Sequence, residues 1–139
     1  MQLIPYLFFE GRCEEAAEFY GKVLGAEIVT LMRYKDNPEP NECVMQPEIE
    51  NKIMHMSLRI GNMTLMASDG MVNAPPKFQG FSLSLTVEDA QQAEQFFNTL
   101  AVTGQVQMPL GPTFFSPAFG MVADRFGVSW MIHVEPENN

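Results

Sequence analysis

Two cysteines in 139 residues, Cys13 and Cys43, are too few to staple a fold. A chain this poor in cysteine is expected in a reducing, intracellular setting. Basic residues are scarce as well. Eight Lys and Arg stand against seventeen Asp and Glu, a net charge of −9, which repels phosphate backbones and anionic lipid. No basic run tracks the chain, so nucleic acid and membrane surfaces are poor partners. The apolar run Leu3–Phe9 stops at Glu10 and Arg12, far short of the roughly 20 residues of a spanning helix. No basic leader precedes it, and a cytoplasmic protein is the expectation. No two glycines stand two positions apart, which removes the GxG loop that cradles nucleotide phosphates. GxSxG elbows, Walker loops, and HxH or HExxH metal spacings are also missing. The only histidines are His55 and His133.

What is present fits one domain, and a chain of this length buries about 68–70% of its unfolded surface. Eleven methionines suit core filling and, secondarily, adaptable binding surfaces. Leu3–Phe9 reads as a buried strand. After Gly11 a helical period runs from Cys13 to Leu24, with Ala16, Phe19, Tyr20 and Val23 on one face and Gly25 as the stop. Glu14 and Glu15 occupy its first turn, where the helix dipole favours acid. Strands are expected at 26–34, 53–60 and 63–68, the last two joined by a tight turn at Gly61-Asn62.

The second half repeats this plan. A strand over 81–87 alternates, Glu88-Asp89 opens a helix through Ala93, Phe96, Phe97 and Leu100, and Gly104 closes it. Strands follow at 105–108, 119–124 and 128–134. An offset of 77 residues places Ala16 on Ala93, Tyr20 on Phe97 and Pro5 on Ser82; an offset of 65 places Met66 on Met131. The expected fold is therefore α+β: two βαβββ modules, about 1–72 and 78–136, joined by the Pro-rich linker 73–77. Curved mixed sheets would form a cleft, with helices on the convex faces. The proline-rich and acidic stretch 36–50 reads as a solvated loop or lid. The loop from Pro109 to Phe119, three phenylalanines among three prolines, should bury itself, either closing the cleft or at a dimer contact.

Pro5-Tyr6-Leu7, Gly11-Arg12-Cys13-Glu14-Glu15-Ala16, Phe19-Tyr20, Leu24-Gly25-Ala26, Met54-His55, Leu65-Met66-Ala67-Ser68-Asp69 and Asp124-Arg125-Phe126-Gly127-Val128-Ser129-Trp130-Met131-Ile132 resemble PhnB-like proteins. These are a branch of the vicinal oxygen chelate superfamily, which also holds glyoxalase I, bleomycin-resistance proteins and extradiol dioxygenases. The resemblance covers about Leu3 to Val134. It implies paired βαβββ modules and a homodimer, and some relatives carry a 3-demethylubiquinone 3-methyltransferase-type label. Metal-dependent superfamily members place four ligands at positions that correspond here to Pro5, Met66, Ser82 and Met131. Proline and thioether are not ligands for hard divalent ions, zinc or iron. No cofactor is therefore expected, and a divalent metal is disfavoured.

His133 shares a strand face with Met131, whereas His55 lies on the polar face of its strand with Ser57 and Arg59. Asp69, Glu10 and Glu135 are nearby oxygens in principle, but nothing in the spacing gathers them. A structural role suits each histidine, and acid–base catalysis is the alternative. Cys13 sits at a helix N-terminus, yet Glu14 and Glu15 oppose activation of its thiol. Trp130 alternates away from Met131 and should pack under a helix. The candidate ligand cleft comprises Pro5, Leu7, Met66, Ser82, Ser84, Phe114, Phe115, Met131 and His133. Its apolar walls and few hydroxyls suit a small-molecule ligand. The leading expectation is a metal-free, dimeric small-molecule binder. The alternatives are a metal-assisted or histidine-based lyase, isomerase or dioxygenase-type enzyme, a methyltransferase-labelled relative without an S-adenosylmethionine motif, and a structural role with a self-filled cup.

Overall fold

The computed structural model describes residues 1–38, 47–70 and 75–136. They divide into two units, Met1–Pro76 and Lys77–Asn139. Unit one runs β1 (Tyr6–Phe8), α1 (Cys13–Leu24), β2 (Glu27–Arg33), a 3-10 turn (Tyr34–Asp36), α2 (Pro47–Glu50), β3 (Ile53–Ile60) and β4 (Met63–Ser68). Unit two runs β5 (Leu83–Val87), α3 (Ala90–Leu100), β6 (Gln105–Gly111), β7 (Phe119–Ala123) and β8 (Ser129–Val134). The sheets have the same plan, β1-β4-β3-β2 and β5-β8-β7-β6. In each, the first strand is parallel to the last and the other pairs are antiparallel. A parallel neighbour needs a long crossover, and α1 and α3 provide it. The fold is the doubled βαβββ α+β arrangement.

Each helix covers one face of its own sheet. Cys13, Ala16, Ala17, Phe19 and Tyr20 are buried on α1, as are Leu7, Met56, Leu58, Leu65 and Ala67 on the strands. In unit two Ala93, Phe97 and Leu100 are buried with Val122, Trp130, Ile132 and Val134. Each large side chain buried in this way contributes about 1.5–3 kcal/mol of transfer free energy. Ala16 and Ala93 are both fully buried, as the 77-residue offset requires.

The helix ends are fixed differently. Asp89 caps α3 by accepting the Gln92 N–H at 2.8 Å. Arg12 makes no side-chain cap on α1; Asp69, brought from the end of β4, accepts the Cys13 N–H at 2.8 Å instead. Gly25 ends α1 in the left-handed region, φ 70°. Gly104 does not play that part for α3. The helix ends at Leu100, Thr103 takes the positive φ, and Gly104 is needed for space, since a Cβ there would lie 2.2 Å from the Ala123 carbonyl oxygen.

Three further expectations change. β1 is shorter than 3–9, because Pro5 has no N–H to extend the ladder and Leu3 is exposed. β6 runs on to Gly111 through Pro109, which an edge strand tolerates. The loop after β6 buries Ser116 and Ala118 but not its phenylalanines, and Phe114 is fully exposed. Thr113 N–H donates to Ser116 O at 2.8 Å, a tight turn that carries Phe114 outward. Residues 39–46 of the expected loop or lid, Cys43 among them, and 73–74 of the linker lie outside the described residues.

Candidate functional site

Alternation on the ladders decides which side chains face away from the helices. In unit one Tyr6 is paired with Met66, Leu7 with Ala67 and Phe8 with Ser68. Leu7 is 3% exposed, against 38% for Tyr6 and 53% for Phe8. Leu7 is therefore a core residue under α1 and does not line the open face. Pro5 precedes the strand; its contribution is a backbone carbonyl that accepts the Met66 N–H at 3.0 Å. The side chain beside Met66 is Tyr6. Continuing across the sheet, Ser57 pairs with Met66 and His55 lies on the same face, two residues away. The Tyr6 hydroxyl and His55 Nδ1 are 3.1 Å apart.

In unit two Ser84 pairs with Met131 and Thr86 with His133, while Leu83, Leu85 and Val87 lie opposite Trp130, Ile132 and Val134 on the helix side. Equivalence by ladder is thus Tyr6 with Ser84, and Met66 with Met131. Pro5 is one residue out of phase with Tyr6, and Ser82 is in phase with Ser84 but displaced from it by two residues. Ser82 sits just before β5, its Oγ 2.7 Å from Ser129 Oγ, and Ser129 donates to Gln107 at 2.8 Å. Met131 and His133 share the open face with Met121 and Phe119. Phe115 stacks on the His133 ring at 6.3 Å and meets Phe119 edge-on at 5.0 Å. His133 Nδ1 is buried and has no hydrogen-bond partner among the described residues.

Several chemically suggestive groups are consumed by the fold. Asp69 is 2% exposed, and its second oxygen accepts the Ile53 N–H at 2.7 Å. Asp124, also buried, accepts from Phe126 and Val128 N–H through Oδ1 and from Trp130 Nε1 at 2.9 Å through Oδ2. These are the two aspartates of the motifs that carried the resemblance. Each ties its unit together. Burial, then the charges of Asp69 and Glu14, push the Cys13 thiol far above its ordinary range. It cannot supply a thiolate nucleophile near neutral pH. Burial, then Asp69, Tyr6 and Glu10, also raise the Tyr34 phenol, whose O–H donates to Gly70 O at 2.8 Å.

At the ladder positions unit one offers the Tyr6 phenol and the Met66 thioether, and unit two the Ser84 hydroxyl and the Met131 thioether, pairs that do not suit a divalent ion. Among the described residues no group of three or more His, Cys, Asp or Glu is placed to hold one.

The candidate residues therefore separate. Met66 shares an open face with Tyr6 and His55; Ser84, Met131 and His133 share another, with Phe115 over the imidazole. Tyr6, Phe8 and Thr86 were missed. The alternation of Ser82, Ser84 and Thr86 with Leu83, Leu85 and Val87 was the available signal, once transferred back onto β1.

The profile of the family described as 3-demethylubiquinone-9 3-methyltransferase matches residues 1–133. Protein YjdN of Escherichia coli K12 is 33% identical over 140 residues, covering 96% of this chain and 95% of that one. The crystal structure of PA1353 from Pseudomonas aeruginosa is 43% identical with a TM-score of 0.85, covering 99% of each chain. A PhnB protein of Bacillus cereus is 32% identical with a TM-score of 0.79, covering 96% of this chain and 99% of its own. Solved structures of glyoxalase-related and fosfomycin resistance proteins, below 25% identity, share the fold alone.

Proposed function

The chain belongs to the PhnB-like, 3-demethylubiquinone-9 3-methyltransferase-type family of the vicinal oxygen chelate superfamily, and from that premise we propose that it is a small-molecule-binding protein working without the superfamily's metal. The observation that carries this reading is what stands at the corresponding ladder positions of each unit, Tyr6 and Met66 in one, Ser84 and Met131 in the other. They provide soft contact surface and hydroxyl groups but no ligand set. Around them stand imidazoles, further hydroxyls and exposed rings, the mixture small-molecule sites use for orientation and contact. The methyl-transfer wording of the family description meets no glycine-rich nucleotide loop in this chain.

A cytoplasmic homodimer is part of the same proposal, supported by the family resemblance and by low cysteine content. The test is native mass spectrometry of untagged protein exposed to a fractionated cell extract, followed by calorimetric titration of whatever is retained. A stoichiometric organic adduct that persists in EDTA supports the reading. Failure to retain any organic molecule across fractions counts against it.

One observation favours a second reading. A buried imidazole nitrogen without a partner is costly, and His133 Nδ1 is one. A histidine acid–base enzyme would use it. Turnover in a substrate screen that disappears in His133→Gln, with folding retained, would select this reading over simple binding.

A further inference from the structure

Resting on that binding role, we infer that Phe8, Tyr6 and His55 form a recognition strip for a neutral, flat, conjugated carbonyl compound. The neighbouring rings, Phe9 just after β1 and Phe19 and Tyr20 on α1, are buried, whereas Tyr6 and Phe8 are not. The Tyr6 ring lies 5.1 Å from Phe8 and 5.7 Å from His55, with interplanar angles of 38° and 33°. Three rings thus run side by side along the open face of one sheet at modest tilts. A flat ligand laid over them recovers the apolar surface left in water, at roughly 25 cal/mol per Å². Met66, beside Tyr6 in the ladder, is the adaptable neighbour.

The polar element is single and oriented. The Tyr6 hydroxyl has His55 Nδ1 as its hydrogen-bond partner. A phenol O–H donating to Nδ1 makes that nitrogen the acceptor, so the neutral ring carries its proton on Nε2. No second partner of the His55 ring is found among the described residues. One N–H donor next to an aromatic strip is complementary to a conjugated carbonyl oxygen. Charge weighs against an anionic ligand: the chain carries −9, and Arg59, on the same face of β3, is ion-paired with Glu27. An anion would gain little there.

The experiment is nitrogen-15 NMR on the full chain, with three probes. Coumarin has the flat ring and the carbonyl, 2H-chromene the ring alone, and δ-valerolactone the carbonyl alone. The free wild-type protein is expected to show His55 almost wholly as the Nε2–H tautomer, and Tyr6→Phe to admit more of the Nδ1–H form. Coumarin is expected to shift the Tyr6, Phe8 and His55 Nε2–H signals and to bind more tightly than either comparator. Tyr6→Phe removes the bond that orients the His55 donor rather than a bond to the ligand, which predicts weakening of roughly threefold. Phe8→Ser, which leaves the donor intact, should weaken coumarin and chromene alike. Coumarin binding that leaves these three residues unmoved overturns the strip while leaving a small-molecule role intact elsewhere. Equal affinity for coumarin and chromene removes the carbonyl assignment, and an Nδ1–H tautomer removes the donor. Failure of all three probes overturns the strip, whereas the binding role itself stands or falls on retention of an extract molecule.

Discussion

Asp69 and Asp124 show how little of a motif's chemistry is free once the chain folds. Each carboxylate is buried and accepts backbone N–H groups, and a buried charge survives only when so satisfied. Truncating Asp69 to Ala strands the Cys13 and Ile53 N–H groups, which predicts a loss of about 3 kcal/mol. Urea unfolding measures it, with the half-exposed His55→Ala as the near-neutral comparison. The Cys13 thiol gives a second prediction. Its folded pKa is raised above the ordinary 9.0 by burial, so below pH 9 both folded and unfolded thiols are protonated and nothing is lost. Above pH 9 the unfolded thiol ionises while the folded one does not, and stability falls as pH rises. Tyr34 adds the same sign above its ordinary 10.0. Iodoacetamide at pH 8, followed by peptide mass spectrometry, is expected to leave Cys13 unmodified until urea unfolds the chain. Rapid native alkylation of Cys13 would refute its inert assignment.

At the scale of elements, the two long helices, the turns and the doubled order were legible because each carries a local signal: the apolar stripe of α1, Gly25, Gly61 and Asp89. The helix α2, four residues inside the stretch expected as a loop, carries none. The phase of β1 was not legible either. Leu3–Phe9 holds no charged or strongly polar residue, so alternation has nothing to mark, and Pro5 and Leu7 were read as lining residues when Tyr6 and Phe8 occupy that face. The strand β5, with serine and threonine alternating with leucine, leucine and valine, carried the phase, and Ser84 lies on its open face. Gly104 was recognised as a boundary for the wrong reason, since its constraint is the Ala123 carbonyl on β7, invisible without pairing. Gly104→Ala should therefore destabilise by about 2 kcal/mol through overpacking. Gly111→Ala, where a new Cβ meets nothing within 4 Å, should stay within about 0.5 kcal/mol. Thermal or urea melts of the pair compare a steric requirement just before β6 with an open position at its end.

For the molecule as a whole, family membership and the repeated sheet plan agree with what the sequence pattern indicates, because duplication writes the same order twice. Which side chains recognise a ligand depended on register, a long-range property that composition does not record. The charge of −9 predicts no retention on anionic vesicles or duplex DNA at physiological salt, and co-sedimentation checks it. The most direct test of metal-independent binding is native mass spectrometry of untagged protein dialysed against zinc, nickel, manganese and ferrous iron, then exposed to extract. The predicted spectrum carries an organic adduct and no stoichiometric metal. A one-to-one metal increment that vanishes in His55→Ala or His133→Ala would contradict it.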